Sequence, residues 1–336
     1  MDVHGYAWAV TIAIMVAILG FDIFVIGRRP HEPSMKEAGT AIGVFVGLAV
    51  LFGLGVWGVS GPRYAGEFFA GWLTEYSLSI DNLFIFIIIM TKLKVPRELQ
   101  QFALLVGIVL ALVFRGIFIA VGAAAIDRFS WVFFLFGLFL LYTAVRLVID
   151  YRNHDDDEDA PDNPLIRFVR RRFPSTDDFD GPHLTVKRDG ARMITPMLIV
   201  VVALGSTDLL FALDSIPAIY GLTEEPYLVF TANVFALMGL RQLYFLLGGL
   251  LRKLVYLSIG LSVILAFIGV KLIFHAMYEY QLGERLGIPF SLEIPIWLSL
   301  LVIIGTLMIT AVASLVKSRW DEDHAAAAGP GSGTAA

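Results

Sequence analysis

Two short stretches place acids where acids are expensive. Glu75, Asp81 and Asn82 lie in one hydrophobic run, and Asp208, Asp214 and Ser215 lie in another about 130 residues further on, each with the same six-residue step between its acids. Both runs are long enough to cross a bilayer. A carboxylate at the bilayer centre costs about 2.5–3.5 kcal/mol even on lenient insertion scales, so acids retained there bind something or move protons. Their company is oxygen: carboxylate, amide and hydroxyl groups suit Mg²⁺, Ca²⁺ or Mn²⁺, whereas copper and most zinc sites take sulfur or imidazole. The chain has no cysteine, which excludes disulfides, thiolate ligands and thiol redox chemistry. His275 falls at the extreme end of a span and reads as an interface residue.

The elements that must hold these residues are membrane helices. The chain is 57% hydrophobic with a mean hydropathy of +0.76 and only 16% charged residues, where soluble domains carry about 25% charged residues. Apolar runs long enough to span fall near 7–27, 41–60, 66–91, 100–122, 131–150, 194–220, 227–250, 254–276 and 295–316. The first lacks a cleavable exit and reads as a retained helix rather than a signal peptide. With the N-terminus outside, cytoplasmic connections hold eighteen Lys and Arg and outer ones three. That asymmetry predicts nine spans with the C-terminus in the cytoplasm.

The order of charges repeats. From Asp81 to Arg115 is 34 residues and then 31 to Arg146; from Asp214 to Arg241 is 27 and then 30 to Lys271. Each unit is three helices, an odd number, so the second starts from the opposite face of the membrane. The expected fold is all-α with two inverted-topology repeats, helices 3–5 and 6–8, and a site at their interface near the midplane. The divisions are residues 1–65 for two leading helices, 66–150 for the first repeat, 151–193 for a charged cytoplasmic connection, 194–276 for the second repeat, 277–324 for the ninth helix and its flanks, and 325–336 for a flexible tail. The connection, with its acidic run at 155–159 and basic run at 170–172, reads as a solvated linker.

Six residues on a straight helix advance about 9 Å and about 240°. Glu75 and Asp81 therefore do not chelate one ion without unwinding, and the expected pairing is Asp81 with Asp214 across the pseudo-axis. Pro217 predicts a distortion beside Asp214, because it cannot donate to the Leu213 carbonyl. Arg115 and Arg241 lie too deep to snorkel and are expected to compensate the acids. Arg146 and Lys271 lie near helix ends, where snorkelling suffices. Asp22 reads as a residue that only joins helices. Four acids against two deep arginines leave a charge that matches a divalent cation.

The motifs SLSIDNLFIF at 77–86, DLLFALDSIPAI at 208–219, RRPHEPSMKEA at 28–38, NPLIRFVRRRF at 163–173 and TP at 195–196 resemble the TerC family of integral membrane proteins. The resemblance implies manganese efflux, with Glu75, Asp81, Asn82, Asp208, Asp214 and Ser215 as the metal-site residues. Asp81 and Asp214 are then central ligands with proton antiport as the drive. Family members commonly carry a glutamate three residues before the position of Asp208, where this chain has Gly205. The competing expectation is an accessory membrane protein that delivers metal to, or assembles with, secreted metalloenzymes or stress-response proteins. The partners expected are the transported ion and the bilayer, with no resident cofactor and no nucleic acid. HExxH, GxSxG and Walker motifs are missing, so no enzyme activity is expected.

Overall fold

The computed structural model describes residues 3, 5–28, 34–129, 131–153, 176, 178–188, 191–247, 256–279 and 294–327. The described chain is almost entirely helical: α1 (Gly5–Arg28), α2 (Met35–Ser60), α3 (Pro62–Lys92), α4 (Arg97–Arg128), α5 (Val132–Asn153), α6 (Pro196–Tyr220), α7 (Pro226–Met238), α8 (Leu240–Leu247), α9 (Leu257–Glu279) and α10 (Ile296–Ala327). Eight of the described stretches are long and apolar enough to cross a membrane, with α7 and α8 forming one of them across Gly239. The 24-residue α1 is apolar over Gly5–Ile18. The protein is an all-α, multi-pass membrane protein, as the hydropathy predicts.

Proline and glycine punctuate these helices where local chemistry requires it. Pro62, Pro196 and Pro226 open α3, α6 and α7 at the first turn, where their missing N–H is not needed. Ser34 caps α2 in a reciprocal box, its Oγ accepting from the Glu37 amide at 3.2 Å while the Glu37 side chain accepts from the Ser34 amide. Gly61, at φ +97°, turns the chain from α2 into α3. Pro217 lies inside α6, which continues past it to Tyr220. The interruption falls at Gly239, where the Tyr76 ring lies 3.6 Å from the point a Cβ would occupy.

The connection read as a linker contains an antiparallel hairpin, Thr185–Arg188 with Ala191–Ile194, tied down by Thr195 Oγ1 donating to the His183 carbonyl at 2.5 Å. The charged runs at 155–159 and 170–172, the tail beyond 327 and the Asp22 side chain lie outside the described residues.

A buried centre is built from α3, α4, α6, α7 and α9, while α1, α2 and α10 flank it. The main helix pairs are α5 with α9, α4 with α6 and α3 with α7, and α3 also packs on α6. Leu83, Leu104, Met197, Leu204 and Leu237 fill one apolar cluster, and Leu140, Leu265, Ile268 and Ile303 belong to another. Trp297, Leu301, Met308, Ile309 and Val316 on α10 are exposed, as lipid-facing side chains are. Helices in lipid associate through close packing of small residues, and α5 and α9 meet in this way. A Cβ on Gly137 would stand 2.8 Å from the Gly269 carbonyl oxygen and 2.7 Å from Ile273 Cγ1, and one on Gly269 would stand 2.9 Å from the Gly137 oxygen. Gly137→Val is therefore expected to cost about 1–3 kcal/mol through overpacking. Gly116→Val, where nothing lies within 4 Å of the new Cβ, should cost far less; thermal unfolding in detergent compares them.

Candidate functional site

Helix rotation decides which polar groups meet. On α6, Asp208 and Ser215 are seven residues apart, about two turns, and share the face packed against α4. On α4 that face carries Arg115, whose side chain is 1% exposed. Its guanidinium forks onto Asp208, Nε to Oδ2 at 3.2 Å and Nη2 to Oδ1 at 3.3 Å. Nη1 donates to Ser215 Oγ at 3.2 Å and to Asn233 Oδ1 of α7 at 3.3 Å. The same Nη1 forms an ion pair with Glu75 of α3. One cation thus ties together four helices through two carboxylates, a hydroxyl and an amide, all buried. Glu75 Oε2 and Asn233 Nδ2, both at the edge of this cluster, have no hydrogen-bond partner.

The other two acids are held elsewhere. Asp81 Oδ1 accepts from Ser258 Oγ of α9 at 3.4 Å, and Asp214 Oδ1 accepts from Thr143 Oγ1 of α5 at 3.1 Å. Both aspartates are only partly buried. The acids that converge are therefore Glu75 and Asp208, joined through Arg115, rather than Asp81 and Asp214. The 240° step on continuous α3 points Asp81 away from α4 once Glu75 faces it. Asn82 is buried next to Asp81. Arg241 stands at the start of α8, just after the Gly239 interruption. With the Gln242 amide turned to satisfy both its ends, Arg241 Nη2 donates to Gln242 Oε1 at 2.6 Å. Among the described residues, no group of three His, Cys, Asp or Glu side chains is arranged to hold a metal ion by itself. Gly205 faces α4, where a Cβ would lie 3.3 Å from Leu110 Cδ1.

Asn233, Thr143 and Ser258 are functional candidates that the sequence reading passes over. Each is a small polar residue in an apolar run, and hydroxyls in such runs commonly bond their own helix's carbonyls, as Thr231 and Ser262 do here.

A second polar region lies at one end of the bundle, a cavity of about 550 Å³ bordered by the start of α3, the 221–225 connection and the end of α9. Glu67 there pairs with Arg63 at 2.9 Å and accepts from Thr223 Oγ1 at 2.7 Å. His275 Nε2 lies 2.9 Å from Glu224, in line with its expected place at a helix end. That hydrogen bond holds the Glu224 carboxyl below its ordinary range.

The fold and the site define a multi-pass helical membrane protein with a buried guanidinium–carboxylate hub in its core. The profile of the integral membrane protein TerC family matches residues 60–322, and the chain belongs to that family. It is 43% identical to the uncharacterized membrane protein Rv2723 of Mycobacterium tuberculosis over 97% of this chain and 83% of that one. It is 40% identical to the uncharacterized membrane protein STKORF319 of Myxococcus xanthus, over 93% and 92% of the two chains. A protein of Escherichia coli named "Putative membrane-bound redox modulator Alx" is 37% identical over 85% of this chain and 90% of its own. No solved structure matches significantly.

Proposed function

We propose that this protein is a secondary transporter that exports a hard divalent cation, Mn²⁺ first, from the cytoplasm by proton antiport. The observation that carries the reading is the buried convergence of Glu75, Asp208, Ser215 and the Asn233 amide oxygen on one cationic centre. Oxygens of these types dehydrate and hold hard cations, and they stand at the packing surface between α3, α4, α6 and α7. Asp81 and Asp214, with Asn82 beside the first, flank this centre as further ligands or relay groups on the same route. Arg115 and Arg241 offset the negative charge. No catalysed reaction is assigned to the chain.

The inverted-repeat reading draws support from the packing. Exchanging α3, α4 and α5 for α6, the α7–α8 span and α9 turns the α4–α6 pair into the α7–α3 pair and leaves α5–α9 unchanged. The same exchange turns the Asp81–Ser258 hydrogen bond into Asp214–Thr143. If each unit has three spans, α6 alone crosses the membrane between 155–159 and 223–225, and cysteines engineered at these two places should label from opposite sides, in a chain with no cysteine of its own. Labelling of both from one side would end the inverted topology.

The name of the Escherichia coli relative suggests a redox role. A thiol-based one is not open to these 336 residues, which contain no cysteine. The accessory reading, metal delivery to or assembly with other proteins, is separated from transport by reconstitution. Purified protein in liposomes should move Mn²⁺ alone down an opposing pH gradient, and failure to do so at confirmed insertion would favour the accessory role.

A further inference from the structure

We infer that Arg115 is a resident cation of the central site, which the transported ion must displace and which returns to expel it. The inference rests on the transport reading for its cargo and deepens it by naming how the site is emptied. The guanidinium is not beside the ligand oxygens but among them: it takes both Asp208 oxygens at 3.2 and 3.3 Å, Ser215 Oγ at 3.2 Å, Asn233 Oδ1 at 3.3 Å and one oxygen of Glu75. A metal ion that used these oxygens would need the space the guanidinium fills.

Charge leads to the same exclusion. Glu75 and Asp208 against Arg115 give the hub one net negative charge, and adding a divalent ion with Arg115 in place would make it one net positive charge in a site sealed from water. Replacing the guanidinium with the ion instead leaves the two carboxylates neutralised. Buried charge is tolerated when paired and hydrogen-bonded, so the neutral metal-bound arrangement, and the guanidinium-bound one in which the cation is paired with both carboxylates, outlast the doubly occupied one, where two cations would crowd the same oxygens. The hub is also incompletely satisfied as it stands. Glu75 Oε2 is wholly buried and accepts no hydrogen bond, so this site has an acceptor that the guanidinium does not use. Arginine is suited to the task, since its planar fork matches a carboxylate while its methylene stem can swing. A fixed counter-charge that stays in place while metal binds near Asp81 and Asp214 is the opposing arrangement, and the two differ in one measurable respect, competition.

The test is equilibrium Mn²⁺ binding to the purified full chain in detergent, for the wild type, Arg115→Ala and Arg115→Lys, with millimolar guanidinium ion as a mobile replacement for the missing side chain. Removing a competing cation in hydrogen-bond contact should tighten Mn²⁺ binding by about tenfold or more. Added guanidinium should then weaken binding to Arg115→Ala competitively, raising the apparent Kd in proportion to its concentration without lowering the number of sites, while sodium at equal ionic strength does not. Arg115→Lys, whose ammonium cannot fork onto Asp208, should also bind more tightly than the wild type. It carries the test if Arg115→Ala does not survive extraction. In liposomes the Ala variant should bind and fail to turn over. Tighter binding without guanidinium competition would mean a fixed counter-charge and overturn the inference, as would unchanged affinity in both variants or no binding by any of the three proteins. Tight, guanidinium-sensitive binding by Arg115→Ala alongside a wild type that moves no Mn²⁺ would keep the resident cation and sink the export reading, so the two fail separately.

Discussion

Arg115→Met should lower stability by about 3–5 kcal/mol, the range for breaking a buried ion pair from one side, and adding Asp208→Asn should restore part of that loss. The sign of the second effect follows from the charge count at the hub. Arg115 faces two buried carboxylates, Glu75 at 0% and Asp208 at 2% exposure. Removing the guanidinium leaves both uncompensated a few ångströms from where it stood. Neutralising Asp208 in the same chain removes one of the two uncompensated charges, whereas Asp208→Asn alone leaves Arg115 paired with Glu75 and an amide oxygen still able to accept from it. The single Asn variant should therefore lose less than the Met variant, and the double variant should lie between them. Denaturation in detergent micelles with chelator present, so that no divalent ion substitutes for the lost cation, measures all three. A double variant less stable than Arg115→Met would mean that Asp208 is held by partners other than Arg115 and that the hub is not an electrostatic unit.

The fold was legible because hydropathy and the distribution of Lys and Arg report directly on spans. The nine apolar runs fall on α1 and on the eight described stretches long and apolar enough to span, with α2, α4 and α10 extending beyond their apolar stretches. The identity of the buried ionic residues was legible for a related reason: a deep arginine such as Arg115 needs counter-charge, and few acids are deep enough to supply it. Which acids meet it was not. That depends on the rotation of α3 and α6, and adjacent residues on a helix differ by about 100°. Ser215 faces the hub with Asp208, while its neighbour Asp214 turns toward Thr143 on α5. Spacing between acids on one helix fixes their relative direction, but not which of them a neighbouring helix will meet.

Local rules for proline and glycine act through their context. Pro217 withholds a backbone donor, yet α6 continues through it, as membrane helices do when neighbours satisfy the freed carbonyl. Gly239 lacks such a strong sequence signal and is nevertheless where the α7–α8 span is interrupted. The hairpin within the charged connection did have a signal, the Asp189-Gly190 pair between residues that favour strands. The surrounding run of charge hid it.

Asp81→Asn and Asp214→Asn should each abolish Mn²⁺ export while Asp22→Asn spares it. An amide keeps the volume of the carboxylate and removes the charge that offsets dehydration of a divalent ion in a low-dielectric site. The two aspartates have similar settings, Asp81 of α3 accepting from the Ser258 hydroxyl of α9 and Asp214 of α6 from the Thr143 hydroxyl of α5. Ser258→Ala and Thr143→Ala should therefore produce matching, milder defects, since each removes one neutral donor and leaves the charge. If the aspartates serve one route through the central hub, the loss of either blocks it. The double variant should then be no worse than the worse single one, in contrast to the additive losses of independent sites. Accumulation of Mn²⁺ in export-deficient cells that produce each variant, with membrane levels checked, reads all of these. Full protection by the Asp81→Asn, Asp214→Asn double variant at normal expression would remove both aspartates from the path and shift the weight to Glu75, Asp208 and Arg115, which the packing of α3, α4 and α6 already brings together.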